Sequence, residues 1–274
     1  MRVLAIMGAA ARIGVLKGMI DRLIDDCVPF DAVVGTSSGS LVGAAYAHWM
    51  NGNDRPLREM GKLLLSPGLE ARVMKKPRFH FMEGLNFVSK GGLWDHSPLL
   101  GTIKDVIGSA PPNFRCVATN LRTGQAEALV ATPKALQASC TIPVLWPPVL
   151  VGGDLYADGG LRDNAPVNHA VRMGATHITV LLSKPLSMEA WAPSKKVKGL
   201  DNLLRTQEII MHNALMDDLR MTDSANSDKG RRWIGLEIIE SADHSGGMLD
   251  FSVEHQMKGI RIGYAAARRN KVVP

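Results

Sequence analysis

The sequence predicts an α/β fold, a three-layer sandwich in which helices cover both faces of a largely parallel central sheet. Short apolar runs of strand length alternate with longer segments whose apolar residues recur at helical spacing, as is typical of parallel α/β sheets. Hydrophobic residues make up 46% of the 274 residues and aromatic residues only 5%, which favours a core of aliphatic side chains. We expect a single domain over residues 1–274, because this length suffices for one large α/β domain.

The first four predicted elements are a strand, a helix, a strand and a helix. Residues 2–7 form an apolar run that is too short for a signal-peptide core, so we interpret it as a buried strand. Apolar residues at helical spacing from Ile13 to Ile24 predict a helix, and Phe30–Val34 predicts the second strand. The segment Ser38–Met50 is apolar on nearly all sides, which predicts a central, buried helix.

Residues 51–100 interrupt this alternation, and we interpret them as an insertion that covers the candidate site described below. A helical pattern at Arg55–Leu65 is followed by a stretch that mixes basic residues with phenylalanine, methionine and leucine. Such a surface fits a lid or a membrane-contacting patch. It fits an ordinary helical cap packed on the sheet equally well.

The second half of the chain predicts two hairpins and then a return to alternation. One hairpin joins Pro112–Asn120 to Ala126–Val130, and the other joins residues 149–151 to residues 155–157. Between them, Thr132-Pro133 predicts the start of a helix that ends before Pro143. The remaining predicted elements are a helix from Pro166 to Gly174, a strand at His177–Leu182, a loop at 184–199, a helix from Leu200 to about Met221, a strand at Trp233–Ile239 and a last helix capped by Ser252.

Three basic clusters accompany the formal net charge of +6. They would attract an anionic partner such as a lipid headgroup surface or a nucleic acid, but they fit solvated loops better. No nucleic-acid-binding motif accompanies them, so we expect no nucleic-acid partner. The clusters are Arg72, Lys75, Lys76 and Arg78; Lys195, Lys196 and Lys198; and Lys229, Arg231 and Arg232.

The cysteines and the hydropathy pattern bear on location and on cofactors. Three cysteines lie far apart without metal-site spacing, which predicts reduced thiols. We therefore expect a cytoplasmic protein, which would be peripheral at a membrane if its substrate lies there. No run of about 18 uninterrupted apolar residues is present, so no transmembrane helix is expected. We expect no cofactor, and the oligomeric state is not predicted.

The strongest functional motif is Gly35-Thr36-Ser37-Ser38-Gly39, a Gly-x-Ser-x-Gly pattern between a predicted strand and a predicted helix. This context is that of a nucleophile elbow, in which the serine Oγ projects from the end of the sheet. Side chains at Gly35 or Gly39 would push strand and helix apart where they pass closely. The alternative is a turn rich in glycine and serine with no chemistry.

A serine hydroxyl needs a base, and Asp158 is the first candidate. It ends a short predicted strand and precedes Gly159-Gly160, which let the backbone turn tightly; an ordinary Asp-Gly turn fits the same residues. His169 would complete a Ser-Asp-His order, but it lies in the next predicted helix and fits a structural histidine better. Asp154, Asp158 and Asp163 fit turn residues better than metal ligands, so no metal site is expected.

Two motifs and a longer run resemble the patatin-like phospholipase family. The motifs are the serine pentapeptide and Asp158-Gly159-Gly160; the run extends from Ala138-Ser139-Cys140 through Ala165-Pro166-Val167. The resemblance reaches from the first strand to about residue 182 and thins over 51–100 and 184–235. It implies the patatin-like fold and a metal-free hydrolase that removes acyl chains from phospholipids or related esters, with lipid at a membrane surface as its partner. It also implies that Ser37 is the nucleophile, carries an acyl-enzyme, and has Asp158 as its base.

One loop departs from the family pattern. The family places a glycine-rich loop after the first strand, and its N–H groups form the oxyanion hole; this chain has the shorter Met7-Gly8-Ala9-Ala10-Ala11-Arg12. The resemblance implies that the N–H groups of Gly8, Ala9, Ala10 and Ser38 serve as donors and that Arg12 contacts an anion. Losing one oxyanion donor costs on the order of a hundredfold in rate. A catalytically silent member that binds lipid or a protein therefore stays as the alternative, and an acyltransferase or thioesterase is a third hypothesis.

Overall fold

Eight strands in the described part of the chain form one mixed sheet. The computed structural model describes residues 1–77, 80–188, 199–227, 233–242 and 247–269. The strands are β1 (Arg2–Ile6), β2 (Ala32–Thr36), β3 (Phe114–Asn120), β4 (Ala126–Val130), β5 (Val149–Val151), β6 (Asp154–Asp158), β7 (His177–Leu182) and β8 (Gly235–Glu240).

Ten helices in the described ranges surround this sheet. They are α1 (Ile13–Asp25), α2 (Ser38–Met50), α3 (Arg55–Leu64), α4 (Leu69–Val73), α5 (His80–Lys90), α6 (Ser97–Val106), α7 (Pro133–Ser139), α8 (Val167–Arg172), α9 (Gly199–Ser227) and α10 (Val253–Arg269). Short 3-10 turns occupy Ala10–Arg12 and Gly159–Leu161.

The strand order is β5-β6-β3-β2-β1-β7-β8, with β4 also paired to β3. The pairs β1–β2, β1–β7, β2–β3 and β7–β8 are parallel, whereas β4, β5 and β6 form the antiparallel end. Because β1 and β2 run parallel, with Ile6 opposite Gly35, both end at the same edge of the sheet. The loops that follow them meet at that edge, which is where ligands bind in open α/β sheets.

Helices on both faces bury the central strands, as the predicted three-layer sandwich requires. All five residues of β2 are buried, and so are four of the five in β1. Helix α1 packs against α2 and very closely against α10, since a Cβ on Gly18 would lie 2.0 Å from the carbonyl oxygen of Ile260. Helices α8 and α9 pack together, and α8 contacts β1, β2 and β7. The α/β class with a mostly parallel sheet is therefore confirmed.

Most predicted elements are found close to their predicted bounds, and three differ at one or both ends. The second strand begins at Ala32 and includes Gly35 and Thr36, because Gly35 pairs with both neighbouring strands and Thr36 pairs with Val117 of β3. Phe30 instead packs edge-on against Tyr46, with ring centroids 6.5 Å apart. Helix α9 continues past Met221 to Ser227, and β8 starts at Gly235 rather than at Trp233, which is 64% exposed.

The segment 51–100 contains α3, α4, α5 and the start of α6, of which only α3 was predicted. Arg78, the lysine cluster at 195–198 and the basic cluster at 229–232 lie outside the described residues. Among the described helices, none combines the length and the apolar character that crossing a membrane requires.

Candidate active site

Ser37 lies at the tight turn between β2 and α2. Its φ of 53° is in the left-handed region that non-glycine residues rarely adopt, and surrounding structure must hold it there. The turn is tight because the start of α2 passes close to β1: a Cβ on Gly39 would lie 2.3 Å from the carbonyl oxygen of Met7. A Cβ on Gly35 would likewise lie 2.6 Å from the carbonyl oxygen of Gly39. Both positions thus have the steric role that the sequence suggests.

The structure brings the hydroxyl of Ser37 to Asp158, which ends β6. Ser37 Oγ donates to Asp158 Oδ2 at 2.7 Å, although the two residues are 121 positions apart. The other carboxylate oxygen, Oδ1, accepts from the backbone N–H of Gly160 at 2.8 Å. The carboxylate is therefore oriented by one bond on each oxygen, and a nucleophile and a base stand within hydrogen-bond reach of each other.

Burial controls the acidity of Asp158. The side chain is fully buried, and the loss of hydration raises its pKa from 3.8 to about 7, while the hydrogen bonds from Ser37 and Gly160 lower it. Burial also raises the pKa of the neighbouring Cys140 thiol well above its usual value, so that thiol stays neutral beside the carboxylate. At neutral pH, a base with a pKa near 7 is ionised in a large fraction of molecules and still has a high affinity for a proton.

Backbone contacts fix the position of Asp158. Thr119 Oγ1 donates to the carbonyl oxygen of Asp158 at 2.9 Å. The N–H of Asp158 donates to the carbonyl oxygen of Thr141 at 2.8 Å. The chain then turns against β3 so closely that a Cβ on Gly159 would lie 2.3 Å from the carbonyl oxygen of Val117. Any side chain at that position would move the carboxylate.

Ser139, at the end of α7, is a supporting residue that sequence reasoning missed. Its Oγ accepts from the backbone N–H of Ser37 at 2.9 Å and donates to the carbonyl oxygen of Val117 at 2.6 Å. The hydroxyl thus ties the strained turn to β3. The signal was present, because Ser139 belongs to the run that resembles the family, but the pattern does not say what it contacts.

The four oxyanion donors inferred from the sequence fall into two groups. The N–H of Gly8 donates to the carbonyl oxygen of Asn164 at 3.0 Å, and the N–H of Ala9 donates to Ser38 Oγ at 3.0 Å. The N–H groups of Ala10 and Ser38 have no partner among the described residues. Ala10 also has a φ of 47° and lies beside Ser37 in the wall of a cavity, so these two N–H groups are the available donors.

An apolar cavity opens onto Ser37. Much of the cavity wall comes from helices α3, α4 and α6, which lie in the 51–100 region or extend just beyond it. His96, in this wall, is stacked on Trp146 with ring centroids 4.4 Å apart, and burial lowers its pKa to about 3, so it is uncharged. The lining includes Leu41, Met60, Leu63, Leu64, Leu69, Val73, Leu99, Ile103, Val106, Ile107, Ile142 and Phe251.

The other acidic and histidine candidates have separate partners. His169 Nδ1 lies 2.6 Å from Asp163 Oδ2, and both residues are buried. Asp154 forms a bidentate pair with Arg122 at 2.7 and 2.8 Å. The Ser-Asp-His alternative is therefore not assembled here, since His169 is engaged by a different carboxylate.

Several known proteins have sequences similar to part of this chain. An uncharacterized NTE family protein of Mycobacterium tuberculosis (strain ATCC 25618 / H37Rv) is 28% identical over 167 residues, 60% of this chain and 27% of that protein. Lysophospholipase NTE1 of Mycosarcoma maydis is 28% identical over 181 residues, 64% of this chain and 9% of that protein. The chain thus spans between 9% and 27% of the length of these relatives.

Two further comparisons concern the fold and the family. The solved structure of VipD from Legionella pneumophila matches with a TM-score of 0.48 at 15% identity, covering 98% of this chain and 66% of that chain, a likeness too loose to inform the site. The family model described as patatin-like phospholipase matches residues 5–171, which contain both the serine elbow and Asp158. On that match over more than half of its residues, the chain belongs to the patatin-like phospholipase family.

Proposed function

We propose that this chain hydrolyses acyl ester bonds of phospholipids or related lipids, with Ser37 as nucleophile and Asp158 as general base. The observation that carries the proposal is the 2.7 Å hydrogen bond between Ser37 Oγ and Asp158 Oδ2 at the mouth of an apolar cavity. The family match and the lysophospholipase names of similar proteins support the same class of substrate.

In the first half-reaction, the proton of Ser37 Oγ passes to Asp158 as Oγ bonds to the ester carbonyl carbon. The N–H groups of Ala10 and Ser38 donate to the oxyanion, which develops at the N-terminus of α2, where the helix dipole favours negative charge. Collapse breaks the bond to the alcohol oxygen, which takes the proton from Asp158 and leaves an acyl group on Ser37.

In the second half-reaction, water gives a proton to Asp158 and its oxygen bonds to the acyl carbon. Collapse then breaks the bond to Ser37 Oγ, which regains the proton as the carboxylic acid leaves. One carboxylate can serve both steps because Asp158 has a pKa near neutrality. The apolar cavity would hold the acyl chain throughout, since its lining removes hydrocarbon from water.

We further propose that α5 docks the protein on a membrane that contains anionic lipid. Leu85 and Val88 on this helix are 61% and 86% exposed, whereas polar Glu83 faces the protein and accepts from Trp94 Nε1 at 3.0 Å. Two exposed lysines, Lys90 at the last residue of the helix and Lys75 in the segment that precedes it, complement anionic headgroups. A protein-facing carboxylate and solvent-facing aliphatic side chains favour a lipid surface as the partner of this helix.

Hydrolysis of p-nitrophenyl esters and of lysophospholipid in vesicles tests the chemistry. Ser37→Ala and Asp158→Asn should each lower kcat/KM by roughly a thousandfold or more, because each removes a reacting group. The matched controls are Ser109→Ala and Asp105→Asn, both exposed positions on or beside α6. Activity that survives both site substitutions would refute the Ser37–Asp158 pair.

The engaged N–H groups of Gly8 and Ala9 favour a second candidate, a catalytically silent member that binds lipid. With those donors occupied, two rather than four of the inferred N–H groups are left for the oxyanion, and each lost donor is costly. A fluorophosphonate probe separates the candidates, since it requires an activated serine. Labelling that depends on Ser37 supports the hydrolase, and intact Ser37 after prolonged exposure supports the silent member.

A further inference from the structure

A second, polar cavity lies on the other side of Ser37. Ser37, Ala10 and Ile142 line both cavities, so the two meet at the nucleophile. Unlike the apolar cavity, the second one has charged side chains in its wall, contributed by the loop after β1, the end of β7 and α9. They are Arg12, Lys184 and Glu208.

Positive charge exceeds negative charge around this cavity. Glu208 Oε1 lies 3.4 Å from Lys184 Nζ, and Glu208 Oε2 accepts from Arg205 Nη1 at 2.9 Å. The side chains of Lys184 and Arg205 are only 16% and 17% exposed. Glu208 thus bonds to both Lys184 and Arg205. The cavity wall itself holds two cations, Arg12 and Lys184, and this one carboxylate. The guanidinium of Arg12 lies close enough to influence both Lys184 and Glu208.

Arg12 adds a third cation that the described residues do not pair. Its Nε is buried and has no hydrogen-bond partner in the part of the chain that the structure describes, and no ion pair joins Arg12 to a described carboxylate. Burial lowers the pKa of Lys184; Glu208 opposes that effect and Arg12 adds to it. Buried charges are costly unless they are paired, and an anion in this cavity would supply the partner that Arg12 lacks among the described residues.

We propose that the polar cavity binds the phosphate group on the alcohol portion of the substrate, with Lys184 and Arg12 as its main contacts. This inference rests on the proposed function and adds to it the cavity and the residues that would hold the phosphate group. The ester carbonyl would lie at Ser37, the acyl chain in the apolar cavity and the alcohol in the polar one. A guanidinium and an ammonium together suit the several acceptor oxygens of a phosphate.

Selectivity between two substrates with the same acyl chain tests this site. The pair is a lysophosphatidylglycerol and the corresponding monoacylglycerol, and the quantity is the ratio of their kcat/KM values. Lys184→Met keeps the length and removes the charge, and it should lower the ratio roughly tenfold to a hundredfold, as expected for a charge-assisted hydrogen bond. Arg12→Gln should lower the ratio in the same direction. Lys104→Met, at an exposed position on α6, is the control and should leave the ratio unchanged.

Inorganic phosphate separates a headgroup subsite from a site for the free ion. For a headgroup subsite, phosphate should compete with lysophosphatidylglycerol more strongly than with monoacylglycerol, and Lys184→Met should remove the difference. Equal inhibition of both substrates, with an unchanged selectivity ratio in Lys184→Met, would overturn the headgroup assignment.

Calorimetric titration with sn-glycerol 3-phosphate decides the same point without turnover. The wild type should bind it roughly tenfold or more tightly than Lys184→Met does, and glycerol should not bind. If Ser37-dependent hydrolysis occurs but the ratio and the titration do not respond to Lys184→Met, the subsite is wrong and the hydrolase proposal stands. If no ester is hydrolysed, the hydrolase proposal fails, and the titration still shows whether the cavity binds a phosphate group through Lys184.

Discussion

Asp158 is fully buried, yet its proposed role requires it to ionise. Burial raises its pKa to about 7, and two hydrogen bonds, from Ser37 and Gly160, favour the charged form. An exposed aspartate would be ionised at all neutral pH values but would be a weak base. The burial of this carboxylate therefore sets its strength as a base.

Activity should consequently depend on pH through Asp158. Only the ionised carboxylate can accept the proton of Ser37, so kcat/KM for the neutral substrate p-nitrophenyl butyrate should rise about tenfold per pH unit below about 7 and level off above it. The neighbouring Cys140 thiol stays neutral in this range because its pKa is raised. A profile measured from about pH 5 to 9 that is flat across this interval would contradict the assignment of the base.

Ser139 should matter for rate as well as for stability. Ser139→Ala leaves the buried N–H of Ser37 and the carbonyl oxygen of Val117 without this partner, which costs about 1–3 kcal/mol of unfolding free energy. The strained turn then loses its tie to β3, and kcat should fall roughly tenfold while KM changes less. Urea denaturation and steady-state kinetics measure the two effects.

Ser241→Ala is the matched control for that substitution. Ser241 is equally buried, but its hydroxyl has no hydrogen-bond partner among the described residues. Its removal should therefore cost little stability and no activity. A Ser139→Ala variant that behaves like Ser241→Ala would show that the turn holds itself without the hydroxyl.

At the scale of elements, α5 is amphipathic with the polar side inward. Glu83 bonds to buried Trp94, while Met82, Leu85 and Val88 are exposed at positions that share one helix face. A hydrophobic pattern gives the face of a helix but not the direction in which that face points. For this reason the sequence left a lid, a membrane patch and a packed cap as equal interpretations of this region.

The paired change Leu85→Gln and Val88→Gln should weaken binding to vesicles that contain phosphatidylglycerol. The two side chains expose much of their apolar surface, and losing that surface from a lipid contact should lower the partition coefficient at least roughly tenfold in a sedimentation assay. Glutamine is a good helix former, so α5 itself should persist.

Leu150→Gln with Val130→Gln is the matched control for α5. These residues are 56% and 67% exposed, but they lie on β5 and β4 at the antiparallel end of the sheet. Their replacement should leave vesicle binding intact. Equal loss in both double variants would show that general surface hydrophobicity, rather than α5, is responsible.

The elements that the sequence predicts well are those in which local pattern and long-range pairing agree. The apolar run at residues 2–7 coincides with the ladder of β1, and Thr132 accepts from the N–H of Ala135 as a helix cap should. Helix α6 was missed although Ser97-Pro98 carries the same kind of start signal. The bounds of β2 were wrong because strand pairing, not hydrophobicity, decides where a ladder ends.

In the candidate site, too, some features could be inferred from the sequence and others could not. Ser37 and Asp158 could be inferred together because each lies in a motif that resembles one family, and their contact is consistent with that inference. The partners of Gly8 and Ala9 could not be inferred, because they come from Asn164 and Ser38 in other segments. The use of Gly8 and Ala9 as oxyanion donors stays a prediction, and it now requires their N–H groups to leave these partners.

At the scale of the whole molecule, the proposed site costs stability. Asp158 lies on β6, where the antiparallel end of the sheet joins β3, and it is packed against the turn that starts α2. Placing a carboxylate in that interior favours its protonated form. Function requires the charged form, so the fold is expected to be less stable at the pH where the enzyme works than in mild acid.

The sign follows from proton linkage. Because the pKa of Asp158 is about 7 when folded and near 3.8 when unfolded, the folded state holds a proton that the unfolded chain has lost between those pH values. The contribution of Asp158 protonation to the free energy of unfolding is thus complete below about pH 4, and it is lost as the pH rises through about 7. At 1.36 kcal/mol for each pH unit of that interval, the full effect is about 4 kcal/mol at most.

Asp158→Asn should therefore stabilise the protein at alkaline pH and not in acid, because asparagine resembles the neutral carboxyl group at every pH. Urea denaturation at about pH 4.5 should give similar unfolding free energies for the variant and the wild type, whereas at about pH 8.5 the variant should be more stable by about 2–4 kcal/mol. Other buried groups whose pKa is raised, such as Asp218, titrate in both proteins and cancel from the difference. A difference that is independent of pH would mean that Asp158 is ionised in the folded state throughout this range, and the base would then be weaker than the proposed mechanism requires.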